Sequence, residues 1–393
     1  WSSPSIPDTS NNLIPTKKDS LDMSVTTKGS LLNTISVSVG EFIRHNLTPL
    51  ALPIIENNLV PDTFLRIAIR KEIEMELAKI EKMSSEEKAN ALQQFVEELK
   101  TMPIAVQQKK ANEQHYEVPD EFYQMVLGPC LKYSSCLFER EDSTLDEAEI
   151  AMLELYCQRA ELFDGMKLID VGCGWGSVTL YMAGKYPNAQ ITAISNSHSQ
   201  RQYILGVAEK RGYKNVTVFT GDIVSFDLPQ ETYYGQADRV ISIEMFEHMK
   251  NYQLLLKKIS NWMKPSAKMF IHIFTHREVP GHYKEGWMTD NFFTGGTLPS
   301  DNLLLYFQDD VKILKHWIVN GAHYQKTLEA WLRIMDSKKA DVLPILAKTY
   351  GEQEALKRYV YWRLFFIGCA EFFGIRNGEE YVVSHYLFQK PEK

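Results

Sequence analysis

The sequence lacks the features typical of membrane-spanning and disulfide-stapled chains. No apolar run reaches the roughly 20 residues that a membrane-spanning helix needs. No CxxC pair or His/Cys cluster is present, and the number of cysteines, five, is odd. This pattern predicts reduced thiols in a cytoplasmic protein without a metal site. The sequence begins at Trp1 without a methionine, so a cleaved targeting segment stays open.

An excess of positive charge is also absent. The net charge is −7 and the pI is near 5.9, which argues against nucleic acid as a partner. A hydrophobic content of 44% and a charged content of 24% are ordinary for a globular enzyme or binding protein. Neither the composition nor the spacing of residues indicates an oligomeric state, and a homodimer is one possibility.

Composition and periodicity divide the chain into four segments. Residues 1–35 are predicted to be a flexible tail and residues 36–145 a helical N-terminal cap. Residues 146–276 form a predicted cofactor-binding core, and residues 277–393 a helical insert around the acceptor site together with the last two strands.

Helix signals are clear in the N-terminal cap. "EFIRHNL" and "DTFLRIAIRKEIEMELAKI" have helical spacing, and Asp62 is the predicted cap of the second. "SSEEKANALQQFVEELK" begins with a capping box at Ser84 or Ser85.

Short β-branched strands alternate with helices in the core. The strands are "KLIDVGC", "QITAISN", "NVTVFTGD", "RVISIEM" and "KMFIHIF". This alternation predicts an α/β fold with a parallel sheet covered on both faces. After residue 277 the pattern changes to an irregular insert, the strand "VKILKHWIVNG", two helices and a final strand "EEYVVSHYLFQ".

The strongest motif is the glycine loop in "LIDVGCGWGSVTLYMA", residues 168–183. Asp170 ends a strand, and Gly172 and Gly174 let the backbone turn tightly and approach a ligand. A dinucleotide site would instead have G-x-G-x-x-G and an acid about 20 residues later. The next strand ends in "ISNSHSQ" without an acid. A turn that binds no ligand is the remaining alternative.

A second polar cluster follows the fourth strand in "ISIEMFEHMKNY", residues 241–252. Burying Glu244 and Glu247 without partners would cost several kcal/mol or force them neutral. In an open α/β sheet, the ends of the strands border the ligand crevice. The two acids and His248 are therefore candidates for the wall of an acceptor pocket, although acids at a helix start and a packed histidine would look the same.

Several motifs in this order resemble the cyclopropane-fatty-acid-synthase-like methyltransferases, and most closely the plant coclaurine, pavine and tetrahydroprotoberberine N-methyltransferases. The motifs are "HYEVPDEFYQMVLG", "KYSSCLFEREDSTLDEAE", "DVGCGWGS", "SNSHSQ", "FEHMKNY" and "LLLYFQDD". The resemblance spans about residues 60–393. It implies a class I, Rossmann-like fold with a seven-stranded, mostly parallel sheet, and S-adenosylmethionine as cofactor.

The resemblance also implies roles for individual residues. Tyr133 and Ser134 would contact the methionine end of the cofactor, together with the glycine loop that Asp170 precedes. Ser195, Asn196 and Gln200 would take the ribose, which accounts for the missing acid. Asp222 and Ile223 would flank the adenine, although a lone Asp in such a loop is often only a cap.

On the acceptor side, Glu247 and His248 would serve as base and amine-positioning pair, with Glu244 in support. Tyr116 and Glu117 would bind the amine, with an exposed surface acid as the alternative for Glu117. Aromatic residues of the C-terminal third could hold a flat ring, although most of them must belong to the core. These are Trp287, Phe292, Phe293, Tyr306, Phe307, Tyr361, Trp362, Phe365 and Phe366.

The lipid-modifying members of the family hold a bicarbonate ion as base. The matching positions here are Ser135, Glu247, His272, Phe274 and Tyr324, so His272 and Tyr324 are further catalytic candidates. A core histidine and a packing residue at a helix start are the alternatives for these two. Ser135 stands where those enzymes carry cysteine, and Glu244 where they carry glycine. Cys369 matches a cysteine once regarded as a nucleophile, and a buried helix residue is the better interpretation.

These residues favour an N-methyltransferase acting on a small aromatic, alkaloid-like amine of the benzylisoquinoline type. A cyclopropane-synthase-type enzyme acting on unsaturated acyl chains of phospholipids is the alternative. A cofactor-binding scaffold protein without catalysis is a third possibility.

Overall fold

A computed structural model describes residues 51–106, 118–283 and 286–392. The predictions for residues 1–35, for "EFIRHNL" and for Tyr116 and Glu117 lie outside the described residues. The boundaries of the four predicted segments stay a prediction.

Three helices open the described chain. They are α1 (Ala51–Glu56), α2 (Asp62–Glu81) and α3 (Ser85–Thr101). The capping box at α3 is confirmed, because Ser84 and Glu87 exchange side-chain and backbone hydrogen bonds. The prediction that Asp62 caps α2 is wrong: Pro61 is the N-cap, and the Asp62 carboxylate binds Arg363 instead.

The core alternates helices and strands as predicted. In chain order it contains α4 (Asp120–Val126), α5 (Leu145–Arg159), β1 (Lys167–Val171), α6 (Ser177–Lys185), β2 (Gln190–Ser195), α7 (His198–Lys210), β3 (Val216–Thr220), α8 (Gln230–Tyr233), β4 (Ala237–Ile243), α9 (Tyr252–Trp262) and β5 (Met263–His276).

The C-terminal part contains β6 (Gly281–His282), α10 (Trp287–Asn291), β7 (Thr297–Leu298), β8 (Lys312–Val319), α11 (Ala322–Ser337), α12 (Lys339–Tyr350), α13 (Glu352–Gly374) and β9 (Tyr381–Gln389). Three helices therefore lie between β8 and β9, where the sequence predicted two. Lys338 and Gly351 separate them, and Gly351 has a φ of +88°, which favours glycine.

Seven strands form one sheet in the order β3–β2–β1–β4–β5–β9–β8. The first five are parallel, and β9 runs antiparallel to both of its neighbours. The predicted seven-stranded, mostly parallel sheet is confirmed. Strands β1, β2, β5 and β9 are buried along most of their length, whereas the edge strands β3 and β8 are largely half-buried or exposed. Among the described helices, none combines the length and apolar character needed to cross a membrane.

Candidate active site

A cavity of about 310 Å³ lies beyond the carboxyl ends of β1, β2, β3 and β4. The ends of these strands supply one side of it. Helices α11 and α13 and the segment around α10 supply the other, largely aromatic side. This position is where open α/β sheets place their ligands. The residues predicted for cofactor binding all line this cavity: Tyr133, Ser134, Asp170, Gly172, Gly174, Ser195, Asn196, Gln200, Asp222 and Ile223.

The glycine loop closes the bottom of the cavity. Gly172 and Gly174 have φ values of +78° and +51°, a region that other residues rarely adopt. A Cβ on Gly172 would approach Met245 Cγ to 2.6 Å, whereas a Cβ on Gly174 would meet no atom of the described residues within 4 Å. Space is thus left at Gly174 on the side of the cavity, as expected where a ligand lies against the backbone.

Asp170 is held at the end of β1 by one strong hydrogen bond. The Thr179 hydroxyl donates to its carboxylate at 2.6 Å. Burial raises the pKa of Asp170 to about 6, because the charged form loses its hydration. Asp170 therefore orders the start of α6 as well as facing the cavity.

The second strand ends in a polar loop that is bonded internally. Ser195 Oγ donates to Gln200 Oε1 at 2.7 Å and accepts from the Ser197 backbone N–H at 3.0 Å. Asp222, after β3, accepts from the Val224 N–H at 2.9 Å. This is the turn-capping role considered from the sequence. It does not exclude a contact with a ligand, since Asp222 also lines the cavity.

Glu244 is the centre of the polar wall. Its Oε1 accepts from the Ser135 backbone N–H at 2.9 Å and lies 3.0 Å from His272 Nε2. Its Oε2 accepts from the Tyr324 hydroxyl at 2.6 Å. Burial raises the pKa of Glu244, while nearby Lys132, the hydrogen bonds from Tyr324 and Ser135, and the charge of His248 oppose that shift.

The structure separates the three polar residues that the sequence grouped. Glu244 and His248 line the cavity. Glu247 points away from it, is 2% exposed, and accepts from the Phe274 backbone N–H at 3.1 Å through Oε1. Its other oxygen has no partner within the described residues. Burial and the charge of Glu244 raise the pKa of Glu247 well above its usual range, so its protonated form is favoured.

His248 belongs to a single turn of 3₁₀ helix, Phe246–His248, directly after β4. Burial lowers the pKa of His248, an effect that the charge of Glu244 partly offsets. The imidazole is therefore neutral at physiological pH and able to accept a proton.

His272 lies behind Glu244 rather than in the cavity wall. It is fully buried on β5, and burial lowers the pKa of its ring well below the usual value. Tyr324 lines the cavity. Burial raises the pKa of its hydroxyl well above the usual value, and the neighbouring Glu244 raises it further. Both predicted residues thus act on the Glu244 carboxylate.

Sequence reasoning missed much of the aromatic side. Of the nine aromatic candidates, Phe293 and Phe365 line the cavity. Further aromatic lining residues are Tyr123, Trp175, Phe274, Tyr283, Trp331, Phe372 and Phe373. Cys369 lines it too, and burial raises the pKa of its thiol, so a thiolate nucleophile is disfavoured. Which aromatic rings border the cavity depends on how α11 and α13 pack against the sheet, and the spacing of residues in the sequence does not show this.

Comparison with known proteins assigns the family. The model for mycolic acid cyclopropane synthetases matches residues 105–383. The (S)-coclaurine N-methyltransferase of Thalictrum flavum subsp. glaucum is 41% identical over 86% of this chain and 94% of its own length. The chain belongs to this family of methyltransferases.

Two further relatives describe the range of the family. A crystal structure of coclaurine N-methyltransferase bound to N-methylheliamine and SAH has a TM-score of 0.83 and 39% identity, and covers 86% of this chain and 98% of that one. The cyclopropane-fatty-acyl-phospholipid synthase of Escherichia coli K12 is more distant, at 27% identity over 61% of this chain and 59% of its own. The family member described here is a methyltransferase that uses S-adenosylmethionine.

Proposed function

We propose that the protein transfers the methyl group of S-adenosylmethionine to the nitrogen of a small aromatic amine of the benzylisoquinoline type. One observation carries the proposal. The Glu244 carboxylate faces the cavity while Ser135, His272 and Tyr324 hold its oxygens.

An ionised carboxylate at the cavity wall suits a cationic acceptor. An aliphatic amine with a pKa near 10 is mostly protonated at neutral pH. Attraction to Glu244 would bind the cation, and the aromatic rings of the cavity would hold a flat ring system. The plant relatives, named for N-methylation of coclaurine, support an acceptor of this kind.

His248 is the proposed base. It would accept the amine proton and so free the lone pair of the nitrogen for methyl transfer, in which the sulfonium sulfur would leave with the carbon–sulfur bonding pair. The cofactor supplies an activated methyl group and its own leaving group. The contribution of the chain is therefore alignment, charge and the removal of one proton. Glu247 is proposed to position the turn through Phe274 rather than to contact the acceptor.

The alternative acceptor is an unsaturated acyl chain, for which family resemblance implies a bound bicarbonate. Two of the residues implied for bicarbonate, His272 and Tyr324, here bind Glu244, as does the backbone of Ser135. A built-in carboxylate therefore takes the place of the external anion. This arrangement favours a cationic acceptor over a neutral hydrocarbon.

The test uses methyl-labelled S-adenosylmethionine with a panel of tetrahydroisoquinoline amines and with vesicles of unsaturated phospholipid. We expect mass spectrometry to show N-methylated amine and no lipid product, with rates unchanged when bicarbonate is removed. Labelled lipid without labelled amine, formed only in the presence of bicarbonate, would overturn the proposal.

The cellular site is also a proposal. All five cysteines are free, and four of them are buried. Free thiols fit a reducing compartment such as the cytoplasm. The homodimer considered from the sequence stays a prediction.

A further inference from the structure

A row of side chains crosses the sheet from its outer edge to the cavity. His272 on β5 and His385 on β9 are directly opposite in the strand register, and Trp317 on β8 is opposite His385. The Arg159 guanidinium, at the end of α5, lies 5.0 Å from the centre of the Trp317 ring. The row ends at Glu244, which follows the strand next to β5.

Hydrogen bonds join the members of this row in sequence. Arg159 Nη1 lies 2.6 Å from His385 Nδ1. His385 Nε2 lies 2.9 Å from His272 Nδ1, and His272 Nε2 lies 3.0 Å from Glu244 Oε1. No step is longer than an ordinary hydrogen bond.

Arginine fixes the direction of the whole row, because a guanidinium can only donate. His385 Nδ1 must therefore accept, which leaves the ring proton on Nε2. That proton is donated to His272 Nδ1, so the second ring also carries its proton on Nε2 and donates it to Glu244. The Tyr156 hydroxyl, 2.9 Å from His272 Nδ1, converges on the same accepting nitrogen.

Protonating either imidazole would place two N–H groups against each other. Both rings are fully buried, and burial together with neighbouring positive charge lowers the pKa of each well below the usual range. Arg159 forms no ion pair with an acid in the described part of the chain, and burial lowers its pKa to about 10. Its hydrogen bond goes to an imidazole instead of a carboxylate.

We propose that Arg159 and His385 are positioning residues for the acceptor site, which act through His272 to direct an N–H at Glu244 and to keep its carboxylate ionised. The inference rests on the proposed function, since it concerns the group that binds the cationic acceptor. None of the three residues of the relay, Arg159, His385 and His272, lines the cavity.

Other charged and titratable groups also face this relay. Around Glu244 these are Lys132, Tyr133, Cys136, Tyr156, Glu247, His248, Tyr324 and Cys369, and around the two histidines they are Lys132, Tyr156 and His316. Lys132 is fully buried and donates to Ser134 Oγ and the Ser135 carbonyl. Burial lowers the pKa of Lys132, and its charged form favours ionisation of Glu244. Removing Arg159 would therefore weaken the support of Glu244 without abolishing it.

The expected effect follows from Coulomb's law. Three hydrogen bonds and two imidazole rings separate the Arg159 guanidinium from the Glu244 carboxylate, and a positive charge held in this buried region lowers the pKa of that carboxyl. Replacing Arg159 by methionine keeps an apolar stem and removes the charge and the donor. The acid limb of kcat/KM for the amine should then move up by about one pH unit. The acceptor KM should rise most at low pH and approach the wild-type value as pH increases.

Arg239 offers a matched control. Like Arg159 it is partly buried, and among the described residues its guanidinium donates only to the backbone carbonyls of Ala160, Glu161 and Asp238. Arg239→Met should lower thermal stability without moving the acid limb. Arg159→Lys should keep the limb near its wild-type position. Should Arg159→Met fail to fold, His385→Phe interrupts the same relay and should shift the limb in the same direction.

A second measurement, of the protonation of the histidine rings, does not require an amine substrate. Nitrogen NMR of protein labelled at its histidine rings should show protonated Nε2 and unprotonated Nδ1 for His385 and His272 in the wild type. In Arg159→Met, His385 should gain a proton on Nδ1 as pH falls. If no amine is methylated, the proposed function fails while this measurement still decides on the relay. Ring signals unchanged in Arg159→Met, or an acid limb that moves no more than in Arg239→Met, would overturn the inference.

Discussion

Glu244 adopts a left-handed backbone conformation, with φ at +46°. For a residue other than glycine this conformation costs about 1–2 kcal/mol. Glycine would adopt this conformation at a lower free-energy cost, and glycine is the residue that the family resemblance implies for the lipid enzymes. Three hydrogen-bond donors around the carboxylate account for the retained glutamate. Strain in the backbone thus coincides with the group that we propose binds the acceptor.

Replacing Glu244 by glycine should relax the backbone and abolish function together. The amide of Ser135, the His272 ring and the Tyr324 hydroxyl would lose their acceptor and face an empty space of carboxylate size. We expect the amine KM to rise and kcat to fall, by about 100-fold or more in kcat/KM, with cofactor affinity by calorimetry within about twofold of the wild type.

Small carboxylates provide the control for this variant. Acetate or bicarbonate should restore part of the activity of Glu244→Gly by occupying the three donors, and should not stimulate the wild type. A Glu244→Gly enzyme with normal turnover would show that the carboxylate has no part in acceptor binding.

His248→Ala tests the base. Loss of a general base typically lowers the rate by about 10²–10⁴-fold, whereas cofactor affinity should change little. The deficit should shrink as pH rises toward the pKa of the amine, because the free base is then present in solution. A deficit that grows with pH, or near-normal turnover at neutral pH, would show that the imidazole only packs the turn.

At the scale of single elements, the glycine loop was the most predictable part of the site. Strand, glycines and helix are contiguous in sequence, so local chemistry alone indicates the β1–α6 turn. The relay was not predictable in this way. Arg159 and His385 are 226 positions apart, and only the register between β5 and β9 brings His385 onto His272. The aromatic side of the cavity depends on the same kind of long-range packing.

Gly174→Val should abolish binding of S-adenosylmethionine. The side chain would enter the open space beside the cavity and would also be strained at a φ of +51°. Gly212 separates the two effects. It also has a positive φ, +73°, no atom in the described part of the chain lies within 4 Å of a built Cβ, and it is not among the cavity-lining residues. Gly212→Val should cost stability but leave the calorimetric affinity for the cofactor unchanged. Equal affinities for the two variants would mean that the loop does not hold the cofactor.

At the scale of the whole molecule, the N-terminal helix α2 is joined to α13 by ion pairs. Arg66 and Arg70 both bind Glu371, which is 2% exposed, and the distance from Arg66 Nη1 to Glu371 Oε1 is 2.7 Å. The residues that follow Glu371, Phe372 and Phe373, line the cavity. The N-terminal cap therefore supports the aromatic side of the site, whereas the cofactor side is built on the ends of the strands.

Glu371→Gln should weaken this support. Loss of one charge leaves two guanidinium groups facing a neutral amide, at a cost of about 1–3 kcal/mol, measurable as a lower melting temperature. Because α13 carries acceptor-side residues, the KM of the amine should rise several-fold while cofactor affinity stays near the wild-type value.

Glu97→Gln is the matched control, because Glu97 pairs with Lys100 on the surface and is 72% exposed. Such exposed pairs contribute about 0–1 kcal/mol, so stability and both affinities should be nearly unchanged. Equal loss of cofactor and acceptor binding in Glu371→Gln would contradict a support confined to the aromatic side.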